Sequence, residues 1–328
     1  MGSFLGIDTS NYRTSVAVID RDGSVNVQKA VLLEVPEGSR GLRQSEAFFR
    51  HSARLPLYLE EIFSGTDPTD IDTIGVSDKP RRQQGSYMPC FMAGVNLALS
   101  LGAALKIPVY RFSHQEGHAA AVLPEDMQEQ IIFMHLSGGT TEFLLCEPDE
   151  NGYDMRIAGG TRDISVGQLI DRFGVASGLP FPSGPYLDDM AYEVLKENGF
   201  NGSGFGKGTI LPVMRTSDGY FNLSGAETRL LRYDGENISE AAAELFVKIS
   251  KLLYDSAVTL ADKYSIDKVW LAGGAASSRT LRALISGYDN SGAPKMIFGD
   301  PSLSGDNAVG IAKLAKRSYE TGNSNTGK

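Results

Sequence analysis

The sequence is poor in cysteine and has no long apolar run, and each absence excludes a class of protein. Its two cysteines, Cys90 and Cys146, are far apart, which excludes a disulfide framework and fits a reducing cytoplasm. No apolar stretch approaches the roughly 20 residues of a membrane span, and the N-terminus carries no basic signal region. We therefore expect a cytoplasmic protein without a membrane segment.

Positive charge is also in short supply, because 31 Lys and Arg stand against 40 Asp and Glu, a net charge of −9. Nucleic-acid binding normally relies on a basic surface, so the net charge argues against a wide nucleic-acid interface formed by this chain alone. A polyanionic substrate would need local basic patches or a partner protein to hold it. With 328 residues the chain is too long for one small core, and two lobes are expected.

Histidine occurs only four times, yet His114 and His118 stand four residues apart. On a helix that spacing puts both imidazoles on one face, where they can share a metal ion. The alternative is an ordinary helix start with Ser113 as N-cap and two solvated histidines, and spacing alone does not separate the two. Glu116 is not adjacent to the first histidine, so the pattern differs from that of zinc peptidases. Gly117 costs a helix roughly 1 kcal/mol and indicates a close backbone approach.

Two strand–polar turn–strand units lie about half a chain apart, over residues 4–20 and 131–145. The first turn contains Asp8 and Ser10, and the second reads Ser-Gly-Gly-Thr-Thr over residues 137–141. Turns with free N–H groups and hydroxyls can cradle phosphate, although most such turns are only turns. Their repetition predicts a duplicated fold.

Strands and helices alternate in the first half, which predicts an α/β lobe with parallel strand pairs. A loop over residues 78–87 carries Lys79, Arg81 and Arg82 at the end of a strand, where open α/β sheets place ligands. A solvated basic loop is the favoured alternative on charge pattern alone.

The second half offers further candidate positions. Asp171 lies on a predicted helix over residues 163–176, a Pro/Gly turn over residues 180–185 follows, and residues 198–219 read as a Gly-rich surface excursion. Gly273-Gly274 ends a strand and opens a helix, a joint that suits a nucleotide but is also common as plain structure. Asp306 is by default the N-cap of the final helix.

Together these segments resemble the TsaD family, the tRNA threonylcarbamoyl transferases once described as O-sialoglycoprotein endopeptidases. The resemblance covers nearly the whole chain, from about Phe4 to Tyr319, with the motifs in the same order. The matching segments are residues 6–10, 114–118, 137–139, 167–171, 182–185, 221–225, 272–274 and 305–307.

The resemblance implies an α/β fold of the actin-like ATPase (ASKHA) class, with two RNase-H-like lobes around a nucleotide cleft. Residues 1–126 would form the first lobe and hold the histidine ligands, and residues 127–328 the second. The second lobe would carry a helical, Gly-rich insertion at about residues 165–238. Its C-terminal helix would pack back toward the first lobe.

The resemblance also implies that Asp306 joins His114 and His118 as ligand to one divalent metal, iron or zinc, through which the three act in catalysis. Two imidazoles and a carboxylate leave coordination positions open, as a catalytic metal requires. The implied reaction transfers a threonylcarbamoyl group from threonylcarbamoyl-adenylate to N6 of an adenine beside the tRNA anticodon. The implied partners are tRNA, a TsaB-like paralogue and a TsaE-like ATPase.

An adenine nucleotide, ATP or threonylcarbamoyl-AMP, is the second implied cofactor. Asp171 is expected on the ribose hydroxyls. The residues predicted to bind the nucleotide or substrate are Asp8, Ser10, Ser137, Gly138, Gly139, Thr140, Asp171, Gly184, Gly273, Gly274 and Ser278.

Several positions depart from the family pattern. Thr140 stands where the family has His, Ser278 stands where it has Asn, and residues 11–13 replace a Cys-Asp-Glu run. Further departures are the 78–85 loop, Glu227 in place of a Lys, and residues 162–163 in place of two acids. Retained metal ligands with changed substrate residues indicate a divergent paralogue. The alternatives are another carbamoyl or acyl acceptor, nucleotide hydrolysis, a non-catalytic regulatory subunit, and a metallopeptidase.

Overall fold

A computed structural model of the chain describes residues 2–10, 12–35, 42–150, 152–200, 210–233, 237–288 and 292–326. Two sequence predictions, the departure at Asn11 and the Gly-rich excursion across residues 201–209, lie outside the described residues. Within those ranges, no helix is long and apolar enough to cross a membrane.

The first sheet has five strands in the order β3-β2-β1-β4-β5. The β1–β2 and β2–β3 pairs are antiparallel, and the β1–β4 and β4–β5 pairs are parallel. The hairpin predicted over residues 4–20 is therefore confirmed. The strands are β1 (Ser3–Asp8), β2 (Arg13–Asp20), β3 (Val25–Leu32), β4 (Ile71–Lys79) and β5 (Val109–Ser113).

The second sheet repeats this plan, because its order is β11-β10-β6-β7-β8-β9. The β6–β7 and β7–β8 pairs are antiparallel, and the β6–β10 and β10–β11 pairs are parallel. The predicted duplication is thus present in both pairing pattern and strand order. The strands are β6 (Ile131–Leu136), β7 (Thr141–Asp149), β8 (Gly152–Thr161), β9 (Tyr220–Phe221), β10 (Lys268–Ala272) and β11 (Lys295–Phe298).

Ten helices connect and cover the described strands. Four elements, α4, α5, β9 and α6, lie between β8 and the long helix α7. The helices are α1 (Gln44–Phe63), α2 (Phe91–Leu105), α3 (His114–Val122), α4 (Val166–Ala176), α5 (Gly184–Asn198), α6 (Ser224–Leu230), α7 (Ile238–Tyr264), α8 (Arg279–Ser286), α9 (Pro301–Ser304) and α10 (Val309–Thr326).

Helix α5 is the main element that the sequence pattern misses. The Pro/Gly turn predicted over residues 180–185 overlaps its start, and Pro185 stands in its first turn. Proline suits that position because the first N–H groups of a helix have no partner inside the helix. The last helix also continues to Thr326 rather than ending near Tyr319.

Helix α10 lies directly on the first sheet because glycine removes the side chains that would separate them. Strand β1 turns Leu5 and Ile7 toward α1 and α2, and its opposite face, with Phe4 and Gly6, toward α10. A Cβ at Gly6 would lie 2.7 Å from the nitrogen of Ala312, so even alanine would not fit. Gly75 pairs with Gly6 in register and faces the same helix.

Glycine also joins α3 to α10. A Cβ at Gly117 would lie 2.8 Å from the side chain of Ile311, and a Cβ at Gly310 would overlap the carbonyl oxygen of Gly117. The close approach predicted from Gly117 is therefore present. This contact sets the start of α10 beside the histidine face of α3.

Asp163 fixes the loop before α4 to the segment before α6. Its carboxylate accepts the N–H groups of Leu223 at 2.9 Å and Ser224 at 3.0 Å, and that of Ile164 at 2.7 Å. Burial alone would raise the pKa of Asp163, but these bonds hold it well below its usual range.

We expect Asp163→Ala to lower the free energy of unfolding by about 1–2 kcal/mol, a value reduced by the exposure of the loop. Since the folded pKa is depressed, the stabilisation is fully present above about pH 4 and is lost as the pH falls through the folded pKa. Urea unfolding of both proteins at pH 7 and pH 3 measures this. Equal stability differences at the two pH values would contradict it.

Candidate metal and nucleotide site

The histidine pair lies at the N-terminus of α3, where Ser113 caps the helix. Ser113 and Glu116 form a capping box, in which each side chain bonds the other residue's backbone N–H. The rings of His114 and His118 face each other with 3.0 Å between their Nε2 atoms. Their side chains are only 15% and 1% exposed, so the alternative of two solvated histidines is wrong.

Asp306 reaches the pair from the turn that precedes α10. Its Oδ1 lies 3.2 Å from Nε2 of His118 and 3.6 Å from Nε2 of His114. The default prediction of an N-cap role for Asp306 is wrong, because Asn307 accepts the N–H of Val309 instead. The Asp306 carboxylate is therefore available to the histidines.

The three donor atoms fit a single metal ion. They lie within 4.8 Å of one another, and their separations are 3.0, 3.2 and 3.6 Å. A tetrahedral ion with bonds of about 2.0–2.1 Å would set its donors about 3.3 Å apart. Two imidazoles and one carboxylate suit zinc and ferrous iron alike.

Asp8 lies behind His114 and orients its ring. One oxygen of the fully buried carboxylate is 3.2 Å from Nδ1 of His114, on the side away from Asp306. The hydroxyls of Ser10 and Ser77 donate to the same carboxylate. A histidine that ligates a metal usually donates its other ring N–H to such a group, which fixes the tautomer. Asp8 thus lies beside His114 with Ser10 bonded to it, and the predicted roles of both toward a nucleotide stay predictions.

The electrostatics of the cluster favour a cation among the carboxylates. Burial opposes protonation of His114, but Asp8 and Asp306 outweigh it and raise its pKa to about 10. Burial also opposes ionisation of Asp306, yet both histidines hold its pKa well below its usual range. Burial and the charge of His114 lower the pKa of His118, so the pair favours one positive charge rather than two.

Glu116 has a structural role in this geometry. Its carboxylate bonds Ser113 and accepts from Arg82 Nε at 2.8 Å, and the side chain is 2% exposed. No surface remains for it to activate water, which disfavours the metallopeptidase alternative.

A family model described as "TsaD: tRNA N6-adenosine threonylcarbamoyltransferase" matches residues 24–313. The chain belongs to the TsaD family. The tRNA N6-adenosine threonylcarbamoyltransferase of Thermotoga neapolitana is 27% identical over 325 residues, which cover 97% of this chain and 94% of that protein.

Solved structures support the predicted actin-like ATPase fold. Component A of (R)-2-hydroxyglutaryl-CoA dehydratase from Acidaminococcus fermentans gives a TM-score of 0.54 at 13% identity, covering 98% of this chain and 100% of that chain. A ROK family glucokinase from Streptomyces griseus gives 0.51 at 13% identity, with 96% and 100% covered. The TsaD chain therefore has the fold class expected from its sequence.

The TsaD segments predicted to hold a nucleotide have open backbone. At Gly138, Gly139 and Gly274, an added Cβ would meet no atom within 4 Å. Gly273 differs, because its φ is +106° and a Cβ there would overlap the carbonyl of Leu136. Gly273 thus shapes the turn, and the other three leave space beside it.

Asp171 joins two further segments of the TsaD pattern. Its Oδ1 accepts the N–H groups of Ser183 at 2.8 Å and Gly184 at 3.1 Å, which fixes the turn before α5. Burial raises the pKa of Asp171 above its ordinary value. Nearby, the ring of Tyr12 from the first lobe packs edge-on against Phe181 of the second, with centroids 5.8 Å apart.

Two departures from the TsaD pattern have local structural roles. Ser278 caps α8 by accepting the N–H of Leu281, and its hydroxyl donates to Asp188 at 2.6 Å. Thr140 closes the second-lobe turn, where its N–H bonds the hydroxyl of Ser137. Their predicted roles toward a nucleotide stay predictions.

The basic loop is largely neutralised by neighbouring acids. Arg81 pairs with Glu142 at 2.6 Å, and Arg82 pairs with both Glu116 and Asp149. The loop therefore adds less free positive charge to the cleft than its sequence suggests.

Sequence reasoning missed His135, which lies on β6 beside His118 with ring centroids 4.5 Å apart. Burial, followed by the charges of His118 and His114, lowers the pKa of His135 well below its ordinary value. A signal was available, since His135 is the one polar residue in the apolar strand Ile-Ile-Phe-Met-His-Leu.

Proposed function

We propose that this chain is a metal-dependent transferase of the TsaD type. It moves a threonylcarbamoyl group from threonylcarbamoyl-adenylate to N6 of an adenine beside the tRNA anticodon. The observation that carries the proposal is the compact donor set of His114, His118 and Asp306 within a TsaD-family chain.

In this proposal His114 and His118 offer Nε2 and Asp306 offers Oδ1 to one iron or zinc ion. When bound, the ion supplies Lewis acidity that polarises the carbamoyl carbonyl of the substrate. Asp8 holds the ring of His114 in the ligating tautomer through Nδ1. The nearly complete burial of His118 keeps water from the inner side of the site.

The adenylate, or ATP, occupies the open backbone between the two lobes. Gly138, Gly139 and Gly274 leave room for close approach, and the N–H groups of their turns can donate to phosphate. Asp171 lies at the edge of this space with both of its backbone bonds on Oδ1, so Oδ2 can accept from a ribose hydroxyl.

The tRNA is presented with the help of partner proteins. The net charge of −9 and the pairing of Arg81 and Arg82 leave this chain little basic surface of its own in the 78–87 loop. A TsaB-like paralogue and a TsaE-like ATPase are the proposed partners.

A different reaction at the same centre is the second candidate. It is favoured by two positions that depart from the family pattern and have local partners in this chain. Tyr12 packs on Phe181, and Ser278 donates a hydrogen bond to Asp188. The same donor set would then serve another carbamoyl or acyl acceptor, or nucleotide hydrolysis. A non-catalytic subunit would instead tolerate His114→Ala and Asp306→Ala without loss of its cellular role.

The direct test supplies the metal-loaded protein with threonylcarbamoyl-adenylate, unmodified tRNA and both partners, followed by mass spectrometry of the digested nucleosides. We expect threonylcarbamoyladenosine, and none from a tRNA whose anticodon-adjacent adenine is replaced by guanine. Release of AMP without modified nucleoside would favour the second candidate. If metal-loaded protein forms neither modified nucleoside nor AMP, both candidate reactions are overturned.

A further inference from the structure

His135 is a buried histidine whose two ring nitrogens are unpartnered. The side chain is 2% exposed on the inner face of β6, and neither Nδ1 nor Nε2 has a hydrogen-bond partner among the described residues. An unpaired buried polar group is destabilising, so an imidazole here is less favourable than a leucine or phenylalanine unless something binds it.

A binding partner is at hand in the neighbouring metal centre. The ring centroid of His135 lies 4.5 Å from that of His118 and 6.5 Å from that of His114. Nδ1 of His118 is also buried without a partner. Three imidazoles therefore lie side by side, and one of them offers two unpartnered nitrogens.

Neither a packing role nor a bound water explains the buried imidazole of His135 as well as a bound cation does. Packing alone would be served by an apolar ring, such as Phe133 two residues earlier on the same strand face. A buried water typically makes about three hydrogen bonds, and a water between these two histidines would make only two, because each ring can offer it one nitrogen. A cation that attracts lone pairs satisfies an imidazole with a single bond.

We infer that His135 is a fourth protein ligand of the metal centre, which then consists of three imidazoles and one carboxylate. The inference rests on the proposed metal centre and adds a residue to it. The nitrogens of His135 lie outside the compact donor group of His114, His118 and Asp306. The ring of His135 must therefore turn toward the ion when the ion binds. It can do so because neither of its nitrogens is held by a hydrogen bond.

The test compares His135→Phe with His51→Phe, a second buried histidine, which bonds Thr14 of β2. X-ray absorption of the zinc-loaded wild type should count three imidazoles at about 2.0–2.1 Å, and that of His135→Phe two. Chelator competition should show zinc binding weakened about 10–100-fold in His135→Phe and unchanged in His51→Phe.

Metal-free His135→Phe should unfold at the same temperature as the wild type or higher, because the substitution removes two unpaired nitrogens. Zinc should then raise the Tm of this variant less than that of the wild type. Two imidazoles in the wild type, with equal zinc affinity in His135→Phe, would overturn the inference and leave the three-ligand centre standing. A wild type that binds no zinc or iron would overturn both.

Discussion

Asp306→Asn is expected to reduce metal affinity by about 100-fold or more and to remove most of the transfer activity. The asparagine keeps the size of the side chain, but it loses the charge that faces both Nε2 atoms at 3.2 and 3.6 Å. It also leaves Asp8 as the only carboxylate on His114, so two imidazoles would hold the ion with a neutral third donor. Metal content after dialysis and the yield of modified nucleoside measure the two effects.

Asp300→Asn is the matched control for that prediction. Asp300 is an exposed N-cap six positions earlier that accepts the N–H of Ser302, and asparagine caps helices as well as aspartate does. We expect normal metal content and activity from this variant. Full metal content in Asp306→Asn would show that Asp306 is not a ligand.

Gly310→Ala should damage both the fold and the site. The new Cβ would overlap the carbonyl oxygen of Gly117 and lie 2.7 Å from the nitrogen of Ala121, so α10 and α3 must move apart. Overpacking of this kind costs about 1–3 kcal/mol. The displacement also carries Asp306 away from the histidines, because Asp306 lies only three residues before α10 begins at Val309. Urea unfolding and zinc titration of the folded variant test both effects.

Gly322→Ala offers the control within the same helix. The atom nearest to a Cβ there, the hydroxyl of Tyr110, is 3.7 Å away, so the substitution should be neutral or stabilising by up to about 1 kcal/mol. Unchanged zinc affinity in a folded Gly310→Ala protein would contradict the proposed coupling of helix contact to site geometry.

Much of the fold could be predicted because its repeated unit, a strand–turn–strand hairpin, has a recognisable local sequence pattern. Apolar runs joined by Ser/Thr/Gly turns predicted both hairpins, and both have the expected pairing. Strand β3 escaped prediction because it lies at an edge of its sheet and has no fully buried residue. Helix α5 escaped because its first turn carries the proline and glycine that usually mark a loop.

The candidate site was only partly readable from sequence. His114 and His118 could be predicted as a pair because they stand four residues apart on one helix. Asp306 has no such local signal, since its approach depends on α10 packing over glycines of β1, β4 and α3, and only the family resemblance supplied it. The contact of Asp8 with His114 was not predicted either, because a pattern along the chain does not tell which way a buried carboxylate faces.

The substrate end of the cleft depends on contacts between distant segments. Ser278 bonds Asp188, and Tyr12 packs on Phe181, pairs that no local spacing predicts. The substitutions away from the family pattern are thus visible in the sequence, while their partners become visible only in the fold.

A metal titration of activity tests the proposed metal-dependent transfer most directly. Protein stripped by chelation is supplied with ferrous iron or zinc, threonylcarbamoyl-adenylate, tRNA and partners, and the modified nucleoside is measured. We expect no product without metal, and product that rises until one ion is bound per chain. Full activity of the stripped protein, or equal activity of Asp306→Asn, would contradict a metal-dependent transfer.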